Sequence, residues 1–232
     1  MKKYLTIQNI LNLLLIVGVI IGNIFYILGD KLLLKTITSA GFFLIGLINL
    51  YYSFKHNKSN TLFAMIMTVG LLFAMLGDIL LGMNFIVGAI FFAIGHVFYF
   101  VAYCLLCKFK WTDLIAGGII ALASVLVILL VPVFDLDVTM KIVVIFYAII
   151  ISFMLGKAVT NLIRERNIIN LIILIGSVLF FFSDLMLLFD NFSIIEAGKT
   201  FGNLCLATYY PAEILLAISL IFLPKQKEES AE

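Results

Sequence analysis

Charge is what this sequence has least of. Only 12% of its 232 residues are Asp, Glu, Lys or Arg, where a soluble domain carries about 25%. With 64% apolar residues and a mean hydropathy of +1.23, the chain has more apolar surface than a core of this length can hide. The bilayer must be the solvent for much of it. A formal net charge of +2, with no basic stripe outside the short loops, argues against a nucleic-acid partner. Histidine is nearly absent too. His56, in a loop, and His96 are the only two, so a three-histidine zinc site cannot be assembled. The chain has no H-E-x-x-H, no G-x-S-x-G elbow and no glycine loop of the phosphate-cradling kind. Its cysteines, Cys104, Cys107 and Cys205, all fall inside apolar runs. The C-x-x-C spacing of the first two invites a metal or redox reading, but small thiols are common in buried helices. No disulfide framework, metal or cofactor is expected.

What the sequence does have is long apolar runs. Crossing about 30 Å of hydrocarbon takes roughly 20 residues. Reading between polar breaks gives eight spans, at about 9–28, 34–54, 61–81, 86–107, 114–131, 139–160, 169–189 and 199–223. The first is too long for a signal-peptide core and no cleavage site follows it, so it reads as a retained span. The expected fold is all-α: a polytopic bundle of eight transmembrane helices forming one domain over 1–223, with a soluble tail at 224–232. Short breaks predict tight antiparallel hairpins for spans 3–4 and 7–8. The cations decide the orientation. Lys2, Lys3, Lys55, Lys58, Lys108, Lys110, Lys157, Arg164, Arg166, Lys225 and Lys227 fall on one side, against Lys31, Lys35, Lys141 and Lys199 on the other. Both termini are therefore expected in the cytoplasm, in what reads as a bacterial cell membrane.

Two stretches break the apolar pattern in the same way. "FAMLGDILLG" (73–82) carries Asp78 and "FFFSDLMLLF" (180–189) carries Asp184. Spans 3 and 7 run in the same direction, which puts both acids at similar depth in the outer third of the membrane. A weak parallel duplication of two four-helix halves accounts for that repetition. A carboxylate inside a span costs at least a few kcal/mol, so each must face the bundle interior and find a partner or a watery cavity. Other polar residues share the interior. His96, Tyr99 and Tyr103 lie on one face of span 4, and Asn203, Tyr209, Tyr210 and Glu213 belong to span 8. Asn12 and Asn23 share a face of span 1 and read as interhelical glue. Gly70, Gly77, Gly176 and Ser177 lie near the acids and permit close helix approach. Taken singly, the histidine and tyrosines are more often packing residues than catalysts. For the two aspartates the functional reading comes first.

These motifs resemble a known family. "GDILL" with "FIVGAIFFAIGHVFYFVAY" (85–103), "GSVLFFFSDLMLLFDNF" (176–192), "TYYPAEILL" (208–216) and "YAIIISFML" (147–155) are similar to motifs of the YhhN-like lysoplasmalogenases. Two details depart from that family's pattern: Lys35 is followed by Thr36 rather than Pro, and Glu213 stands where Gln is common. The resemblance implies hydrolysis of the vinyl ether bond of a lysophospholipid, giving a fatty aldehyde and a glycerophosphocholine or glycerophosphoethanolamine. It implies Asp78 and Asp184 as a catalytic acid–base pair, as paired carboxylates serve in glycosidases. Asp184 lies among Phe180, Phe181 and Phe182, a setting that favours a neutral acid, so it is expected to donate the proton and Asp78 to act as base. A substrate pocket is expected from His96, Tyr99, Tyr103, Asn203, Tyr209, Tyr210 and Glu213. In it the aromatic faces and Glu213 would hold an ammonium group, with Lys35 meeting the phosphate. The competing expectation is a non-catalytic lipid- or sterol-binding membrane protein that uses the same polar pocket.

Overall fold

In the computed structural model, which describes residues 2–29, 32–56 and 60–223, the chain forms eight long α-helices. They are α1 (Lys2–Gly29), α2 (Leu32–His56), α3 (Thr61–Leu81), α4 (Phe85–Leu106), α5 (Trp111–Leu130), α6 (Val138–Arg164), α7 (Ile168–Phe192) and α8 (Thr200–Ser219). All eight are long and apolar enough to cross a membrane. A 3₁₀ turn, Leu220–Phe222, ends α8. The 224–232 tail, Asn57 and the cations Lys31, Lys58, Lys225 and Lys227 lie outside the described residues.

Six helices form a ring in which α2, α3, α4, α6, α7 and α8 each pack against the next, and α8 closes back on α2. The other two stand outside it, α1 against α2 and α8, and α5 against α6. Adding four to each helix number maps the ring's neighbour relations onto themselves: α2–α3 becomes α6–α7, α3–α4 becomes α7–α8, and α4–α6 becomes α8–α2. The ring's packing is thus compatible with two related four-helix halves, although α1 packs on α8 while α5 shows no equivalent packing on α4 among the described residues.

Both expected hairpins pack intimately. Only Gly82, Met83 and Asn84 separate α3 from α4, and the Asn84 side chain caps α4 by accepting from the Val87 N–H. The α7–α8 link is longer, Ser193 to Lys199, and the short turn lies instead between α6 and α7. A long link was tolerable because it has a partner: the Asp135 N–H donates to the Phe192 carbonyl and the Ile194 N–H to that of Val133. Small residues set the helix distances, as their positions predict. A Cβ on Gly77 would lie 2.8 Å from the Phe92 ring, one on Gly70 would collide with Tyr99, and one on Gly176 would lie 3.0 Å from Leu216.

The opposite end of the bundle is held by a buried ion cluster. Asp113 accepts from Lys157 Nζ at 2.8 Å, the Thr160 hydroxyl at 2.7 Å, the Lys110 N–H at 2.8 Å, and Arg164. Lys157, counted above among loop cations, is a fully buried residue of α6 whose ammonium also donates to the Cys107 carbonyl at 2.7 Å. Asp113→Ala should therefore cost about 3–5 kcal/mol by leaving Lys157 buried without its carboxylate. Replacing both, as Asp113→Leu with Lys157→Met, should recover most of that loss. Thermal unfolding in detergent reads both, and an unchanged midpoint for the single variant would refute the role.

Candidate active site

Asp78 sits one turn from the end of α3, and three donors converge on it. Ser39 Oγ donates to Oδ2 at 2.5 Å, the Tyr209 hydroxyl donates to the same oxygen at 2.8 Å, and Lys35 Nζ lies 3.2 Å from Oδ1. Lys35 and Ser39 are four residues apart on α2, so a single face of that helix presents both. Tyr209 comes from α8. The Tyr210 hydroxyl stands behind, 3.2 Å from Ser39 Oγ.

Asp184, on α7, is served by the ring partners that the same four-helix shift predicts. Tyr147 of α6 donates its hydroxyl to Oδ2 at 2.6 Å, and His96 Nε2 of α4 lies 3.4 Å from that oxygen and 2.8 Å from the tyrosine oxygen. Each acid is thus held by one tyrosine and one nitrogen base from the equivalent pair of helices, with the two residue types exchanged between them. The bases differ in kind and in place: Lys35 arrives from α2 with Ser39, whereas His96 arrives from α4. His96 Nδ1 is buried with no hydrogen-bond partner among the described residues, and Phe180 packs on its ring at 4.6 Å between centroids.

Both carboxylates open onto one cavity of about 370 Å³, whose wall also includes Lys35, Tyr209, Asn203 and Asp190. A second cavity, of about 400 Å³ and almost wholly apolar, lies between α4, α5, α6 and α7. Leu81, Phe85, Phe92, Asp184 and Leu187 line both. Polar and apolar space therefore meet at Asp184.

Other residues expected in the pocket sit behind this wall. The Tyr99 hydroxyl donates to Glu213 Oε2 at 2.8 Å, leaving Glu213 Oε1 buried without a partner among the described residues. Tyr103 pairs with Ser177 at 3.0 Å. Neither cavity is lined by Tyr99, Tyr103, Tyr210 or Glu213, so the aromatic cage expected for an ammonium group is replaced by a buried polar layer. Besides the two aspartates, Asp190 is a third carboxylate on the wall of the polar cavity. Sequence reading also passed over Ser39 and Tyr147. Ser39 lies one turn beyond Lys35, a spacing that marks a shared face, and Tyr147 opens a quoted motif but looks like any interior aromatic. Among the described residues no group of three His, Cys, Asp or Glu side chains has metal-holding geometry.

A family profile, described as the YhhN family, matches residues 31–220. The chain belongs to the YhhN family. The matched region spans α2 to α8 and so includes every partner of both aspartates, while α1 falls outside it. YhhN is the lysoplasmalogenase family, and membership supports a lysoplasmalogenase-like function at the level of the family. Searches of curated proteins and of solved structures each return no significant match.

Proposed function

We propose that this chain hydrolyses the vinyl ether bond of a lysophospholipid, with Asp184 and Asp78 as the reacting pair. The observation that carries the reading is that both intramembrane carboxylates, each with its own tyrosine and nitrogen base, open onto one cavity. A vinyl ether is cleaved by proton transfer to the β-carbon, which gives an oxocarbenium ion. Asp184 supplies that proton. Water then adds to the carbon bearing oxygen and releases a proton to Asp78. The resulting hemiacetal collapses as its hydroxyl proton passes to the departing glycerol oxygen, yielding aldehyde and alcohol. Asp78 has gained the proton that Asp184 lost, so restoring the site takes one proton off Asp78 and one back onto Asp184 through the Tyr147–His96 pair. The three donors on Asp78 fix its carboxylate toward the cavity, where it can face the cation as it forms. The Tyr147–His96 chain suits an acid that must be recharged with a proton.

Purified protein in detergent should release fatty aldehyde from an alkenyl lysolipid, with or without a chelator. Absence of aldehyde across choline and ethanolamine headgroups would overturn the hydrolase reading in favour of a lipid binder. Lys35 lines the cavity and is placed to meet the phosphate. Lys35→Ala should then raise KM by roughly tenfold, about 1.4 kcal/mol of binding, and lower kcat less. A fall in kcat at constant KM would refute that role. We orient both termini toward the cytoplasm on the cation bias. In a cysteine-free background, Asn57→Cys and Asn191→Cys should react with impermeant thiol reagents from opposite sides. Reaction from the same side would reverse the topology.

A further inference from the structure

The ring's symmetry is broken by its two outer helices. On one side α1 seals the bundle. Its Asn23 side chain donates to the Leu206 carbonyl of α8 at 3.1 Å, and Gln8 and Asn12 both donate to Asn49 Oδ1 of α2, at 2.8 and 2.9 Å. Gly41 admits Val19 so closely that a Cβ there would lie 2.5 Å from its methyl. On the other side α5 packs on α6 without comparable packing on α4 among the described residues. The apolar cavity of about 400 Å³ occupies that gap, with Ala123 and Val127 of α5 facing Ala148 and Ile151 of α6. α5 is fastened to α6 at one end by Asp113, and the loop following its other end pairs with the α7–α8 link. Asp184 and Leu187, with Phe85 and Phe92, belong equally to this groove and to the polar cavity. Idle membrane lipid covers apolar helix faces. A groove that ends on a carboxylate and the Tyr147 hydroxyl is built for a chain that continues into something polar.

We infer that the groove beneath α5 holds the single hydrocarbon chain of an ether lysolipid, entering sideways from the bilayer, while its phospho headgroup occupies the polar cavity beside Lys35. The inference rests on the hydrolase reading for the reacting bond but not for the binding. It assigns polarity to the two acids: the chain side belongs to Asp184 and the headgroup side to Asp78, which puts the bond between chain and glycerol at the junction. It also gives selection for one chain a physical basis. The symmetry-related flank is closed by α1, so the bundle offers a second chain no equivalent groove.

The test uses a non-cleavable 1-O-alkyl lysophosphocholine with a diazirine at the chain end. Photolysis of the full-length protein in bicelles should label peptides from α5 and α6 and spare α1. Excess unlabelled alkyl lysolipid should compete, whereas a two-chain ether lipid of the same headgroup should not. Ala123→Phe, at an exposed position on the groove wall, should lower the label at least fivefold. Leu13→Phe, at a lipid-facing position of α1 that is 60% exposed, should leave it unchanged. Labelling spread evenly over lipid-facing helices, or competition by the two-chain lipid, would overturn the inference. Because the alkyl probe cannot be cleaved, the outcome is separate from the chemistry. Labelling of α5 and α6 without aldehyde release from the alkenyl lipid would keep the groove and remove the hydrolase. Aldehyde release with label elsewhere would do the reverse.

Discussion

Asp78→Asn and Asp184→Asn should each lower aldehyde release by about 10²–10⁴-fold, the range a positioned acid or base supplies. Asn keeps the shape of the side chain and one of its two acceptor oxygens. It removes the charge and the transferable proton. If the pair forms one reacting centre, the double variant should be little slower than either single, because residues acting as a unit are strongly non-additive. The two should differ in stability. Asp78 is the counter-ion of Lys35, whose side chain is only 10% exposed, so a neutral amide in its place leaves an ammonium without its partner in a nearly dry site. Among the described residues the ion-pair partner of Asp184 is His96, not a lysine. Asp78→Asn should therefore melt earlier than Asp184→Asn while both still insert. An Asp78→Asn protein that melts early yet turns over normally would reduce that acid to a structural counter-ion.

Tyr147→Phe should lower kcat by about a hundredfold with little change in KM. The phenyl ring keeps its edge-to-face contact with His96, at 5.4 Å between centroids. What goes is the hydroxyl that lies 2.8 Å from His96 Nε2 and 2.6 Å from Asp184. Without it the imidazole is 3.4 Å from the carboxylate, too far for an efficient proton relay. Tyr209→Phe is the natural control. Asp78 retains Ser39 and Lys35, so the loss there should be several-fold smaller. Steady-state kinetics in the same detergent compares them, and equal losses would contradict a relay confined to Asp184.

The eight spans were legible because hydrocarbon thickness imposes a length on every crossing and polar breaks mark the ends. The ends were misjudged where charge is satisfied inside the protein. α6 runs on to Arg164 since Lys157 and Arg164 find Asp113, which no hydropathy reading registers. The two aspartates stood out because a buried carboxylate is too costly to be incidental. Their partners were harder. Helical periodicity gives the face a residue occupies but neither its depth nor what the next helix brings. His96, Tyr99 and Tyr103 do share a face of α4, yet only His96 reaches an acid at the cavity, and the tyrosines bind Glu213 and Ser177 in layers below. Tyr147 was passed over because one tyrosine in an apolar helix carries no pattern. Its meaning lies in α4 and α7, far away along the chain.

The repeated arrangement of four helices bears on how two chemically identical side chains would take the opposite jobs proposed for them. Two copies of a four-helix protein meeting about an exact axis would present the same acid twice in the same surroundings. Neither could be committed to giving a proton rather than taking one until the bound lipid decided the matter, and half of all encounters would begin from the unproductive end. Joining the copies in one chain lifts that constraint. An ammonium can be written beside one acid and an imidazole beside the other, one flank can be left open and its twin shut. Under the proposed reaction, the direction in which a lipid is read is then fixed before it arrives.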